Sequence, residues 1–186
     1  MKKLFIDIDS TIYNSQKRLV EYLNAIYNKN VNYKDIKKYN CTCSFPKTSA
    51  SEVEEIFDDK EFYSHIKLFK KTKETIRALQ ERYDIIFLTK GSRKNIYHKC
   101  SRLNYDFHSA KVVTISKNIS KGLIDMDDSV IIDDLGKNLL ESNASIKILF
   151  APFGINDYNS DAFNHPDIEV VKNWKDVRRF LLWIRR

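Results

Sequence analysis

The sequence predicts an α/β fold: a parallel sheet flanked by helices, with a small helical segment inserted after the first strand. Three observations predict it. Short runs of β-branched and aromatic residues alternate with stretches of helical periodicity. Those runs are apolar throughout, as strands covered on both faces must be. Several of them end abruptly in polar, reactive side chains.

The first strand is Leu4-Phe5-Ile6-Asp7-Ile8, at the start of the chain. Leu19, Val20, Leu23, Ile26 and Tyr27 then recur at helical spacing and predict a helix over residues 16–29. Residues 30–71 are polar, lysine-rich and weakly periodic, with two short helices expected near 51–57 and 59–66. Residues 72–83 are helical in pattern, with Ile76 and Leu79 inward. A second strand, Ile85-Ile86-Phe87-Leu88, ends at Thr89-Lys90-Gly91-Ser92, and a helix is expected over 93–103. Val112-Val113-Thr114-Ile115 is the third strand and Val130-Ile131-Ile132 the fourth, ending at Asp133-Asp134. A helix near 135–142, a strand at 146–150 and a weaker one at 168–171 follow. In residues 174–184, Val177, Phe180, Leu181 and Ile184 share one helical face. This divides the chain into an α/β core, residues 1–12 and 73–186, and a helical cap, residues 13–72.

Length and composition agree with that architecture. A chain of 186 residues, 42% hydrophobic, is long enough for one core domain with a small appendage and too apolar for a disordered chain. The net charge of +7 is spread along the sequence, which favours a solvated lysine-rich surface while leaving room for an anionic partner such as nucleic acid. Asp7 and Asp9 break the first apolar run too early for a secretory signal, and no run approaches the ~20 apolar residues of a membrane span. Cys41, Cys43 and Cys100 are an odd set without zinc-finger spacing. They read as reduced thiols, and a cytoplasmic, soluble protein is expected.

Sites in open α/β sheets form at the carboxyl ends of strands. Here those ends carry Asp7 and Asp9, then Thr89, then Lys117, then Asp133 and Asp134. On extended backbone, Asp7 and Asp9 point to the same face. Two carboxylates that close need an intervening cation, and oxygen ligands from Asp133 and Asp134 would complete a Mg²⁺ site. An ionised Asp7 suits a nucleophile and Asp9 a general acid. The Thr89 hydroxyl and the N–H groups of Lys90 and Gly91 suit phosphate oxygens, and a lysine suits the charge on a transferring phosphoryl group. Lys117 is favoured for that role over Lys121 because it lies closer to its strand.

Leu4-Phe5-Ile6-Asp7-Ile8-Asp9-Ser10-Thr11 resembles the first motif of the haloacid dehalogenase (HAD) superfamily. Leu88-Thr89-Lys90-Gly91 resembles the second, Lys117 the third and Ile131-Ile132-Asp133-Asp134 the fourth, in family order. The resemblance implies a Rossmann-like HAD core and an aspartyl-phosphate on Asp7. It also implies proton transfer by Asp9 and a magnesium ion on the Asp7 carboxylate, the Asp9 carbonyl and Asp133 or Asp134. The cap after the first motif, Glu61-Phe62-Tyr63 and the paired Asp133-Asp134 are similar to the 5′(3′)-deoxyribonucleotidases. Ser10 stands where many members carry glycine, and Thr89-Lys90-Gly91 replaces their Thr-Ser-Pro-like loop.

The expected function is therefore a Mg²⁺-dependent phosphomonoesterase acting on a nucleoside monophosphate, with Thr11, Thr89, Lys90 and Gly91 at the substrate. Phe45, Phe62 and Tyr63 are candidates to stack on a base, or else the small core of the cap. A 3′-phosphatase of nucleic-acid ends is the alternative, motivated by the charge. An inactive regulatory module is a third, disfavoured because every motif residue is intact. A phosphoacceptor receiver domain uses similar residues in a different order. The four histidines have no metal spacing, and the terminal helix is expected to pack on the sheet rather than on a membrane.

Overall fold

The computed structural model describes residues 1–36, 41, 43–154 and 156–183; Ile184, assigned above to the last helical face, lies outside them. Six strands form one parallel sheet: β1 (Lys2–Ile6), β2 (Tyr83–Gly91), β3 (Val112–Ser116), β4 (Val130–Asp133), β5 (Ile146–Phe150) and β6 (Ile168–Val171). Their order across the sheet is β3-β2-β1-β4-β5-β6. The chain builds outward from β1 in one direction, returns, and builds outward in the other. The crevice where that order reverses lies between β1 and β4, above their carboxyl ends.

β1 is central because Leu4, Phe5 and Ile6 are buried on both faces, which only a covered parallel strand allows. Alternation then sorts the residues of every strand between two cores. Leu4, Ile6, Ile85, Phe87, Val130, Ile132 and Ile148 face one way. Phe5, Leu88, Ile131 and Leu149 face the other. The first face is covered by α4 (Thr72–Leu79), α5 (Arg93–Asp106) and α8 (Trp174–Trp183), and the second by α6 (Gly136–Glu141) and α7 (Ser160–Phe163). The terminal helix packs on the sheet as expected: Trp174 is fully buried, and its indole N–H donates to the Thr11 carbonyl at 3.0 Å.

Between β1 and β2 the chain forms α1 (Ser15–Tyr27), α2 (Ala50–Phe57) and α3 (Lys60–Ser64). Local chemistry sets their ends. The Asn14 side chain caps α1, and Asn28 closes it in the left-handed conformation. Ser49 and Glu52 form a capping box on α2. The chain enters and leaves this segment side by side, since Tyr13 bridges Leu68, Asn14 N–H donates to Lys67 O at 2.9 Å and Phe69 N–H to Ile12 O at 3.0 Å. Leu19, Val20, Leu23, Phe45, Ile56 and Phe62 pack into the same core as one face of the sheet. No helix of the described residues is long and apolar enough to cross a membrane.

Candidate active site

Register brings the reactive residues together. Ile6 pairs with Phe87 on one side and Ile132 on the other, so β1 ends level with Phe87 of β2 and Ile132 of β4. Asp7 N–H extends the ladder to Ile132 O at 2.9 Å, which sets Asp7 beside Asp133. The chain then turns sharply: Ser10 has φ of 57°, in the left-handed region that favours glycine. That turn is what a glycine would do more easily at the same position. β2 runs on past the end of β1, so Thr89, Lys90 and Gly91 are still strand, paired with Thr114, Ile115 and Ser116 of β3. They form an edge beside the Asp7–Asp9 turn rather than a free loop. A side chain at Gly91 would place its Cβ 2.2 Å from Asn95 Oδ1, so glycine lets α5 close down on that edge.

Carboxylate oxygens of Asp7, Asp133 and Asp134 lie within 4.8 Å of one another. Lys121 sits against the trio, fully buried, donating to Asp7 Oδ1 and, at 2.7 Å, to Asp133 Oδ2. Asp133 is otherwise occupied, accepting from Leu135 N–H at 2.9 Å and from the Asn138 amide at 3.0 and 3.1 Å. Burial pushes the Asp7 carboxyl up to about 7, with the charges of Asp133 and Asp9 adding and the Lys121 ammonium opposing. Asp134 is held well above the usual carboxylate range by burial and then by Asp7 and Asp133. Burial opposes the charge of Lys121, but Asp133 and Asp7 outweigh it and keep it an ammonium. One lysine thus faces three carboxylates. The excess negative charge and the all-oxygen donor set fit a hard divalent cation such as Mg²⁺.

Lys121, not Lys117, is the lysine at Asp7. Lys117 is half exposed and pairs with Glu54 of α2 at 2.7 Å. Its backbone N–H still donates to Gly91 O, so it lies above β2, while the chain crosses toward β4 only afterwards. Lys121, on a one-turn 3₁₀ helix (Lys121–Leu123) in that crossing, is the residue that passes over β1.

The Asp9 carboxylate points away from the acidic trio. Its Oδ2 accepts from Lys99 of α5 at 2.5 Å, and its Oδ1 from Ser15 Oγ at 2.9 Å and the Tyr63 hydroxyl at 3.2 Å. Lys99 also donates to Thr89 Oγ1 at 2.8 Å and Lys90 O at 3.3 Å. Asn95 donates to the Tyr63 hydroxyl at 2.9 Å, whose own ionisation is pushed well up by burial and then by the Asp9 charge.

A cavity of ≈ 370 Å³ opens from Asp9, Ser10, Lys90, Gly91 and Lys99 toward the inserted helices, where Gln16, Leu19, Val53 and Phe57 form its wall. Tyr158 also lines it. Phe45, Phe62 and Tyr63 do not supply the aromatic wall: Phe45 packs on Tyr27, and Phe62 sits between Phe57 and Tyr63. Thr11 is sealed beneath Trp174, its hydroxyl buried without a partner. Lys99, Ser15, Asn95, Phe57 and Tyr158 were not among the residues singled out from sequence. For Lys99 a signal existed: Asn95, Lys99 and Leu103 recur every four residues on the inward face of α5, an unusual place for an unexplained lysine.

No family model matches the chain, and no curated protein matches it in sequence. Solved structures do match along its whole length. A hydrolase from Pseudomonas syringae is 15% identical with a TM-score of 0.64, each chain covered to 98%. A haloacid dehalogenase-like family hydrolase from Streptococcus pneumoniae is 15% identical with a TM-score of 0.61, covering 97% of this chain and 98% of that one. The magnesium-bound YfnB of Bacillus subtilis, described as a HAD-hydrolase, is 15% identical with a TM-score of 0.59, covering 97% and 98%. At these identities the likeness is one of architecture: the chain has the haloacid dehalogenase-like fold.

Proposed function

We propose that this protein is a magnesium-dependent phosphomonoesterase that works through an aspartyl-phosphate on Asp7. The observation that carries the reading is the pairing of Asp7, held against Lys121 and two further aspartates, with Asp9 at the mouth of a cavity of substrate size.

An Asp7 carboxylate oxygen attacks phosphorus as the bond from phosphorus to the ester oxygen breaks. Asp9, whose carboxylate in the resting site accepts from Lys99, Ser15 and Tyr63, must take up a proton as the substrate enters, and it gives that proton to the departing oxygen. Asp9, now a carboxylate, takes a proton from water as that water attacks the phosphorus, and the bond to Asp7 breaks to release orthophosphate. Lys121 keeps positive charge beside the attacking carboxylate, and the Thr89 hydroxyl donates to a phosphoryl oxygen. Asp7 and Asp134 are the carboxylates that would hold Mg²⁺, with the Asp9 carbonyl, while Asp133 serves through Lys121 and Asn138. When bound, the ion neutralises the acidic cluster and the phosphoryl charge.

Residues 13–72 act as a cap over this site, and the substrate is a small phosphate ester, with a nucleoside monophosphate the best fit to the cavity. Leu19, Val53, Phe57 and Tyr158 offer apolar and aromatic surface for a base. The three cysteines are free thiols, which suits work in the cytoplasm. Asp7→Asn tests the chemistry: phosphate release should vanish from a protein that still melts cooperatively. Turnover at the parental rate in that variant would remove Asp7 from the mechanism.

A further inference from the structure

We propose that Lys99 is the positioning residue of this site, fixing Asp9 and turning the Thr89 hydroxyl toward the phosphoryl group; the proposal rests on the phosphomonoesterase reading. An ammonium has three N–H donors and no acceptor. All three of Lys99's have partners: Asp9 Oδ2, Thr89 Oγ1 and Lys90 O. Because Lys99 donates to Thr89 Oγ1, the proton of that hydroxyl must point elsewhere. No described residue accepts it, and the free edge of β2 beyond the end of β1 lies beside Asp7. A hydroxyl that could rotate is thereby made a fixed donor into the site.

Stability does not explain this lysine. Its side chain is 2% exposed, and a buried ion pair is often no more stabilising than apolar residues of the same volume. Asn95, one turn earlier on the same face of α5, makes the matching contact, holding the Tyr63 hydroxyl that in turn donates to Asp9. α5 therefore presents two polar side chains to the site, and every polar partner of Lys99 is a group the reaction uses or its immediate neighbour.

The test separates positioning from scaffolding by non-additivity. Lys99→Met and Thr89→Val are each expected to weaken orthophosphate binding to the magnesium-loaded protein, read by calorimetry, by about tenfold or more, as loss of a hydrogen bond to a charged group does. The double variant should be no weaker than either alone, because Lys99 acts through Thr89. Lys99→Gln, which keeps a donor to Thr89, should recover most of the affinity and covers the case in which Lys99→Met does not fold. In turnover, Lys99→Met should slow alkyl phosphates far more than 2,4-dinitrophenyl phosphate, whose leaving group needs no proton from Asp9. Additive losses, unchanged phosphate affinity in a folded variant, or equal slowing of both esters would each overturn the role. Asp7→Asn run alongside judges the underlying reading separately: parental turnover there overturns the phosphomonoesterase mechanism whatever Lys99 does.

Discussion

Two lysines four residues apart have opposite fates, and the difference can be measured. Lys121→Met removes the only described cation at Asp7 and Asp133 and leaves those buried carboxylates uncompensated, which costs about 3–5 kcal/mol for a buried pair. Turnover should collapse, and Mg²⁺ should restore part of the lost stability by supplying charge at the same place. Lys117→Met breaks a half-exposed pair with Glu54 and should leave stability nearly unchanged, because water and salt screen such a pair. Thermal melts of both variants, with and without Mg²⁺, check this; equal destabilisation would contradict the geometry. Distance along the chain from a strand end favoured Lys117, but the site needs a residue above β1. The 3₁₀ turn that carries Lys121 there has no periodic signal in sequence. Asp7, Asp9, Asp133 and Asp134 were legible because they interrupt apolar runs. Phe45 and Phe62 leave two readings open in sequence because an aromatic side chain in a small helical insertion is equally at home in its core, and only packing decides which ring faces the cavity.

At the scale of elements, Asp106 ends α5 and ties three parts of the fold together. It accepts from the Tyr13 hydroxyl at 2.9 Å, Arg102 Nε at 2.8 Å and Lys73 of α4 at 2.8 Å. A carboxylate at a helix C-terminus is unfavourable by itself, and burial opposes its charge further. The hydrogen bonds from Lys73, Tyr13 and Arg102 outweigh burial and hold its carboxyl below the ordinary value. A folded-state pKa below the unfolded ~3.9 means the contribution is complete above that pH and is lost as pH falls through the folded value. Asp106→Asn should therefore cost about 1–3 kcal/mol near neutrality. The gap in Tm between variant and parent should narrow below about pH 4; a gap that stays constant to pH 2 would show the contribution is not ionic. Periodicity located most elements well: α1 was expected over 16–29 and is Ser15–Tyr27, and α5 was expected over 93–103 and runs to Asp106. β2 is longer than its apolar run because Thr89, Lys90 and Gly91 gain a partner in β3, a tertiary effect invisible in the run itself. α7, four residues long, carries no period to detect.

The whole molecule concentrates negative charge in one crevice of a chain with net charge +7. A cation that binds the folded state alone stabilises it by mass action, about 2.7 kcal/mol at a hundredfold excess over Kd. For a domain of this size that is a rise in Tm of roughly 5–10 °C. Chelation with EDTA should lower Tm by that amount and stop phosphate release, and Mg²⁺ should reverse both; a Tm indifferent to Mg²⁺ would contradict a metal site at Asp7 and Asp134. The positive surface raises a second question, polymer or mononucleotide. The walled cavity favours the mononucleotide. kcat/KM for a deoxynucleoside monophosphate should exceed that for a 3′-phosphorylated oligonucleotide and change little with salt. Preference for the oligonucleotide, falling steeply as salt rises, would mark phosphate-backbone contacts instead.

The side-by-side entry and exit of residues 12–14 and 67–69 also bears on how the chain reaches this fold. Pairing Ile6 with Phe87 draws together points roughly 80 residues apart, an entropic search that precedes any reward from the central sheet. If the helical insertion collapses first and zips its own base, the loop left to close shrinks to about 30 residues, which lowers the closure cost by about 1 kcal/mol. The insertion would then serve assembly as a staple, shortening the path to β1–β2 pairing about fivefold in rate, and Tyr13 and Leu68 would be among the first long-range neighbours to meet.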